Sequence, residues 1–183
     1  TWVTGQNDAT NTTFEQPKNL PSLINYGISF TAQIDYFKWW SGTSFANVFR
    51  NEYDLEEGRN KQTSFSANTQ NSFKIAKGFG AELNAFYNSK SVYGIITERS
   101  YWAVSAAFQK SVLNEKGSIK LAINDIFQTN NFQNDTRYQN INMYNRIWID
   151  SRRAILSFTY RFGKQFENRE RKTGSEDIQN RIK

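Results

Sequence analysis

The sequence predicts an all-β chain, an antiparallel transmembrane β-barrel segment of about seven or eight strands, and three observations predict it. Apolar and polar residues alternate over stretches long enough to cross a bilayer. The connections between these stretches are alternately short and long. Aromatic residues gather at the ends of the stretches. Composition agrees: sixteen per cent aromatics with two prolines and ten glycines in 183 residues suits strands rather than disorder. Mean hydropathy is −0.73, and no run approaches the roughly 18 apolar residues of a membrane helix. A membrane barrel tolerates such polarity because only every second strand residue faces lipid.

Alternation is cleanest from Ile24 to Tyr36, where Ile24, Tyr26, Ile28, Phe30, Ala32, Ile34 and Tyr36 share one face. Asn25, Gly27, Ser29, Thr31, Gln33 and Asp35 share the other. A period of two over that length is a strand, longer than the roughly 9–11 residues a tilted membrane strand needs. Weaker alternation marks Thr43 to Tyr53, whose apolar face is undecided, and Gln62 to Ile75. Ala81, Leu83, Ala85 and Tyr87 oppose Glu82, Asn84 and Asn88, with Phe86 a misfit. Trp102, Val104, Ala106, Phe108 and Val112 form the next apolar face. Ile119, Leu121, Ile123 and Phe127 follow, with Asp125 breaking the face. The last stretch sets Ala154, Leu156, Phe158, Tyr160 and Phe162 against Arg153, Ser157, Thr159 and Arg161.

Short links fall at Lys38 to Gly42, Ala76 to Gly78 and Leu113 to Gly117. Long polar links fall at Gly5 to Pro21, Asp54 to Lys61, Ser91 to Arg99 and Gln128 to about Asp150. Short turns on one side and long loops on the other are the asymmetry of periplasmic turns and extracellular loops. A soluble barrel with its apolar face turned inward shows the same alternation. Strand length, unequal links and the aromatic clusters at Tyr36, Phe37, Trp39, Trp40 and at Tyr101, Trp102 favour the membrane, with outer-membrane lipid as the partner of the apolar face. If residues 1–5 run outward, the eighth segment ends at Phe162 on the periplasmic side. Residues 1–163 are then barrel wall, and 164–183 a charged periplasmic tail. The opening reads as a strand end, so the chain is expected to continue a longer one.

Cysteine and histidine are both absent, which removes thiolate chemistry, the commonest general base and the commonest metal ligand. No enzyme activity and no cofactor are therefore expected. The net charge of +6 is scattered rather than gathered into a basic stripe with interleaved aromatics, so nucleic acid is not an expected partner.

The run IKLAINDIFQTNNF (Ile119 to Phe132), followed after a polar loop by DSRRAILSFTYRFGK (Asp150 to Lys164), resembles the last hairpin of TonB-dependent outer-membrane receptors. The likeness is to the outer-membrane β-barrel family of the Bacteroidota, whose penultimate strand carries a DIFNT-like stretch; here Gln128 takes the place of its asparagine. The resemblance implies a 22-stranded barrel with an N-terminal plug in its lumen, importing a large or scarce ligand by way of a TonB-type coupling complex. Neither plug nor coupling box lies in this chain. A structural barrel subunit of an outer-membrane complex and a self-contained small barrel acting as an adhesin are the alternatives.

Leu156, Phe158, Tyr160 and Phe162 resemble the terminal signal read by the barrel-assembly machinery; the plainer reading is lipid contact. Asp35, Glu82, Lys120, Arg153 and Arg161 fall on the predicted lumen face, where they suit plug or cross-strand partners better than substrate. Tyr53, Tyr93, Phe132, Tyr138, Tyr144 and Trp148 lie in predicted outer loops. There they either contact a ligand or a surface lipoprotein, or pack the loops themselves.

Overall fold

The computed structural model describes residues 2–7, 9–10, 12–17, 22–55, 58–139 and 141–162; the predicted tail, 164–183, lies outside them. They form strands without a helix. In chain order these are β1 (Trp2–Asn7), β2 (Thr12–Pro17), β3 (Ser22–Phe37), β4 (Trp40–Leu55), β5 (Gly58–Ala76), β6 (Phe79–Asn88) and β7 (Ser91–Tyr93). There follow β8 (Ile96–Glu98), β9 (Tyr101–Val112), β10 (Gly117–Asn124), β11 (Phe132–Tyr138), β12 (Ile141–Ile147) and β13 (Arg153–Tyr160). Seven of them make the wall, in the order β13-β10-β9-β6-β5-β4-β3, with every neighbouring pair antiparallel.

Register joins the separate alternations into one surface, because residues directly opposite each other share a face. Ile28 lies opposite Val48, Val48 opposite Phe65, Ala67 opposite Tyr87, and Tyr87 opposite Trp102. Phe108 then meets Leu121, and Leu121 meets Leu156. All the predicted apolar faces therefore coincide, and Ala46 and Val48 settle the undecided one in β4. The opposite face carries Asn25, Asn47, Asn51, Ser64, Asn84, Gln109 and Ser157, among others. Ile28, Phe30, Phe108, Leu156 and Phe158 are exposed, as an outer face that meets lipid requires.

Two aromatic belts bound the apolar face. At the short-turn end Tyr36 stacks on Trp40 at 4.3 Å and Trp40 on Phe73 at 5.7 Å, with Phe37 on Trp39 at 5.6 Å. Near the other end Phe65 meets Tyr87 at 6.4 Å and Trp102 meets Phe127 at 5.6 Å. From Trp40 to Arg50 the strand advances about 33 Å, or about 25 Å of height at barrel tilt, the depth of an apolar band. Arg50 begins the charged crown above it, paired with Glu52 at 2.5 Å, while Asp54 holds Arg59 at 2.7 Å. Three polar side chains sit within the band itself. Ser44 bonds Thr69 at 3.0 Å, the Asn71 amide donates to Thr69 at 3.0 Å, and the Trp40 indole donates to Asn71 at 2.9 Å. Such internal pairing is what permits polar groups where lipid offers no partner.

The short turns are tight. Lys38–Trp39 and Lys77–Gly78 turn in two residues, and Gly78 takes a φ of +73°, which glycine adopts without strain. The third runs through Leu113, Asn114 and Glu115, all at positive φ.

The long links differ from expectation, because their backbone groups find strand partners. Asp54 to Lys61 is no loop: β4 and β5 stay paired up to Leu55 and Gly58. The opening segment is not a wall strand: Trp2–Asn7 pairs with Thr12–Pro17 in a separate two-stranded sheet, so among the described residues the wall has seven strands. Ser91 to Arg99 and the Gln128 to Asp150 stretch each fold as a hairpin, and together they form a four-stranded sheet, β12-β11-β8-β7.

Cysteine labelling with a membrane-impermeant reagent tests the two faces. Ile28→Cys and Phe158→Cys should be protected in membranes, and Ser29→Cys and Thr159→Cys should react. Fast reaction at the first pair with protection of the second would invert the faces.

Candidate functional site

The outer mouth is where the wall and the four-stranded sheet meet. On the polar face, the Asn51 amide donates to the Val92 carbonyl at 3.2 Å and the Asn60 amide to the Gly94 carbonyl at 2.8 Å. The Ser64 hydroxyl donates to the Lys90 carbonyl at 2.9 Å. The β7–β8 hairpin is thereby drawn inward over β4 and β5. Val92 and Ile95 are buried beneath it, and Tyr53 is buried edge-on to Tyr93 at 6.0 Å.

The β10–β11 connection is held by one carboxylate. Asp125, 3 % exposed, accepts from the Thr129 amide at 3.0 Å, the Asn130 amide at 3.0 Å, the Thr129 hydroxyl at 3.3 Å and the Ser151 hydroxyl at 2.5 Å. Its own amide donates to Ser105 Oγ at 3.1 Å. Asp125 therefore does not interrupt the apolar face: β10 ends at Asn124, and a φ of +43° turns Asp125 out of the strand. It ties the turn after β10 to the segment entering β13. The signal was present in the sequence, since an aspartate followed four and five residues on by Thr129 and Asn130 suits a side chain that caps its own turn.

Within the outer sheet Arg99 grips Asp135 with two bonds, Nε at 2.7 Å and an Nη at 2.9 Å, and lies over the Tyr144 ring at 4.7 Å. Tyr144 in turn donates to Gln133 at 2.9 Å. The guanidinium holds the Asp135 carboxyl below the usual carboxylate range, with Arg137 and Lys90 adding to the effect. A depressed carboxyl stabilises the clasp above its unfolded value, about 3.9, and loses that contribution as pH falls through the lower folded value. The outer sheet should therefore keep its amide-exchange protection down to about pH 4 and loosen below it. Arg99→Gln should flatten this pH dependence, because without the guanidinium the folded carboxyl value approaches the unfolded one. An equally steep loss in the variant would show that Arg99 does not set it.

The predicted site residues are dispersed. Tyr53 belongs to β4 rather than a loop, and Phe132, Tyr138 and Tyr144 are on strands β11 and β12. Phe132 meets Tyr101 edge-on at 6.2 Å, and Tyr101 meets Phe86 at 5.9 Å, which gives the misfit Phe86 its partner on the polar face. Trp148 is exposed, with Arg146 over its ring at 4.1 Å. Lys120 bonds both oxygens of Glu82, at 2.8 and 2.7 Å, bridging across β9 above Ala107. Asp35, Arg153 and Arg161 are exposed and form no ion pair among the described residues. Leu156, Phe158 and Tyr160 lie on the apolar face of β13, a free edge, and Phe162 meets Tyr160 edge-on at 4.8 Å.

One apolar face between two aromatic belts, tight turns at one end and a folded cap at the other define a strand sector of a bacterial outer-membrane β-barrel. Residues 1–160 match the outer membrane protein beta-barrel family, and the chain belongs to it. No curated protein and no solved structure matches the chain.

Proposed function

We propose that the chain supplies wall and outer mouth to a plugged, energy-coupled importer resembling the TonB-dependent receptors. The observation that carries this reading is the direction of the two sheet edges. Seven alternating strands leave β3 and β13 both running from the outer mouth to the tight-turn end. Pairing them would need a parallel ladder, whereas barrels of this kind are antiparallel and even-stranded. Lipid does not tolerate an unpaired edge, so an odd number of further strands completes the wall, and a barrel wider than eight strands is the reading that the resemblance to the receptors supports. A wide polar interior suits a plug, and the inward-folded hairpin suits a mouth that receives a ligand. On this reading the chain performs no catalysis, and its partners are lipid, a plug, a TonB-type coupling complex and a surface lipoprotein.

Uptake by the intact protein should stop when the inner-membrane coupling protein is deleted. Unchanged uptake would indicate a passive pore. Absence of any uptake by the wild type would favour a structural subunit, the reading that the hairpin covering β4 and β5 supports.

A further inference from the structure

Between the outer ends of β4 and β5 and the four-stranded sheet lies a cleft of about 480 Å³. Arg59, Lys90, Arg137 and Asp135 bring charge to it, and Asn60, Thr97 and Tyr138 bring neutral polar groups. Two of the charges are already matched: Arg59 is held by Asp54 at 2.7 Å and Asp135 by Arg99 at 2.7 Å. Lys90 and Arg137 remain as the net charge among the described lining residues, and both act on Asp135. Its walls are fixed in advance. The Lys90 backbone is pinned by Ser64, the Asn60 amide by Gly94, and Ile95 is buried in the floor. A preorganised cleft whose described residues leave two positive charges in excess loses little entropy on capturing an anion, and a guanidinium matches the two oxygens of a carboxylate or phosphate.

The geometry points to an oxyanion-binding site at the outer mouth, in which Lys90 and Arg137 hold a carboxylate or phosphate group of an extracellular ligand. Arg137 supplies the planar donor pair and Lys90 a point charge, while Thr97 and Tyr138 offer hydroxyls to the neutral part of the ligand. The size of the cleft, within the usual range of roughly 300–1,000 Å³ for small-molecule sites, suits a compact polyanion or the charged end of something longer. This deepens the importer reading and rests on it for its biological meaning.

Calorimetric titration of the full-length protein in detergent tests it, with propane-1,2,3-tricarboxylate and pyrophosphate as probes and sucrose as the neutral comparison. At least one oxyanion should bind. Which of the two binds identifies the group, and binding of either upholds the site. Affinity should fall with added salt, and by about tenfold for each of Lys90→Gln and Arg137→Gln, the effect expected of losing one charge-assisted hydrogen bond. Lys110→Gln removes the same charge at the opposite end of the wall and should change nothing. A heat-modifiability gel verifies that each variant is folded. Binding of neither oxyanion, or equal binding to a folded Lys90→Gln/Arg137→Gln double variant, would overturn the inference. Because no energy source enters the titration, loss of coupled uptake with binding intact would refute the importer and leave the cleft standing.

Discussion

Replacing Asp125 with alanine is expected to lower the stability of the folded barrel by about 4 kcal/mol, the loss of two hydrogen bonds to a charged group at roughly 1.5–3 kcal/mol each, with the remaining donors turning to water. Four donor groups converge on this carboxylate, two of them backbone amides with no other partner among the described residues. Their loss frees the turn after β10 and the entry to β13 together, so the last strand should fray first. Asp125→Asn retains the shape and one acceptor oxygen, and should lose about half as much. Ser151→Ala removes one donor and should cost about 1–2 kcal/mol, because its removal leaves a carboxylate that keeps other partners. Urea unfolding in detergent measures all three. Equal stability of Asp125→Ala and wild type would mean that the clasp holds nothing.

The second large effect concerns assembly. Serine in place of both Tyr160 and Phe162 should leave only a small part of the protein folded in cells, far less than serine at Phe49 or Phe65. The two rings pack edge to face at the end of β13, an exposed edge, and a free strand edge is the natural template for recognition by strand addition. Opposite Tyr160 stands Gly117, where a Cβ would come within 3.1 Å of Val112, so the partner strand is kept bare at that level. Refolding into detergent micelles separates the two possible causes. A variant that refolds in micelles but does not assemble in cells has lost a signal. One that does neither, with an equal loss at the lipid-facing Phe65, has lost only an ordinary lipid contact.

The wall was legible in the sequence because a membrane strand obeys a local rule. Lipid on one side and polar groups on the other force a period of two, and Ile24 to Tyr36 displays it without help from any neighbour. Strand β4 was harder, since Phe45 and Phe49 face the polar side while Ser44 faces the apolar one. Only its register against Ile28 and Phe65 decides the matter. The outer mouth was least legible. Its hairpins are stabilised by pairings across long separations, such as Asn134 with Glu98 and Thr136 with Ile96, and residues 128–150 carry no alternation that lipid would impose. Lys90 and Arg137 share a cleft through that folding alone. Asp125 stands out in the sequence only as a break in the alternation, because strand periodicity takes no account of a side chain that caps its own turn.

The shared direction of β3 and β13 also limits how such a barrel could have been built. Two copies of this sector, inserted in the same orientation, would meet descending strand against descending strand. Tandem duplication of the block, or a ring of side-by-side copies, therefore never closes with antiparallel pairing. A complementary fragment must contribute an odd number of strands. Growth by added hairpins supplies strands in pairs, so this block cannot itself be the unit that was copied. In split-barrel complementation, fragments with an odd strand count should restore a closed wall with this sector, and fragments differing by a single strand should fail.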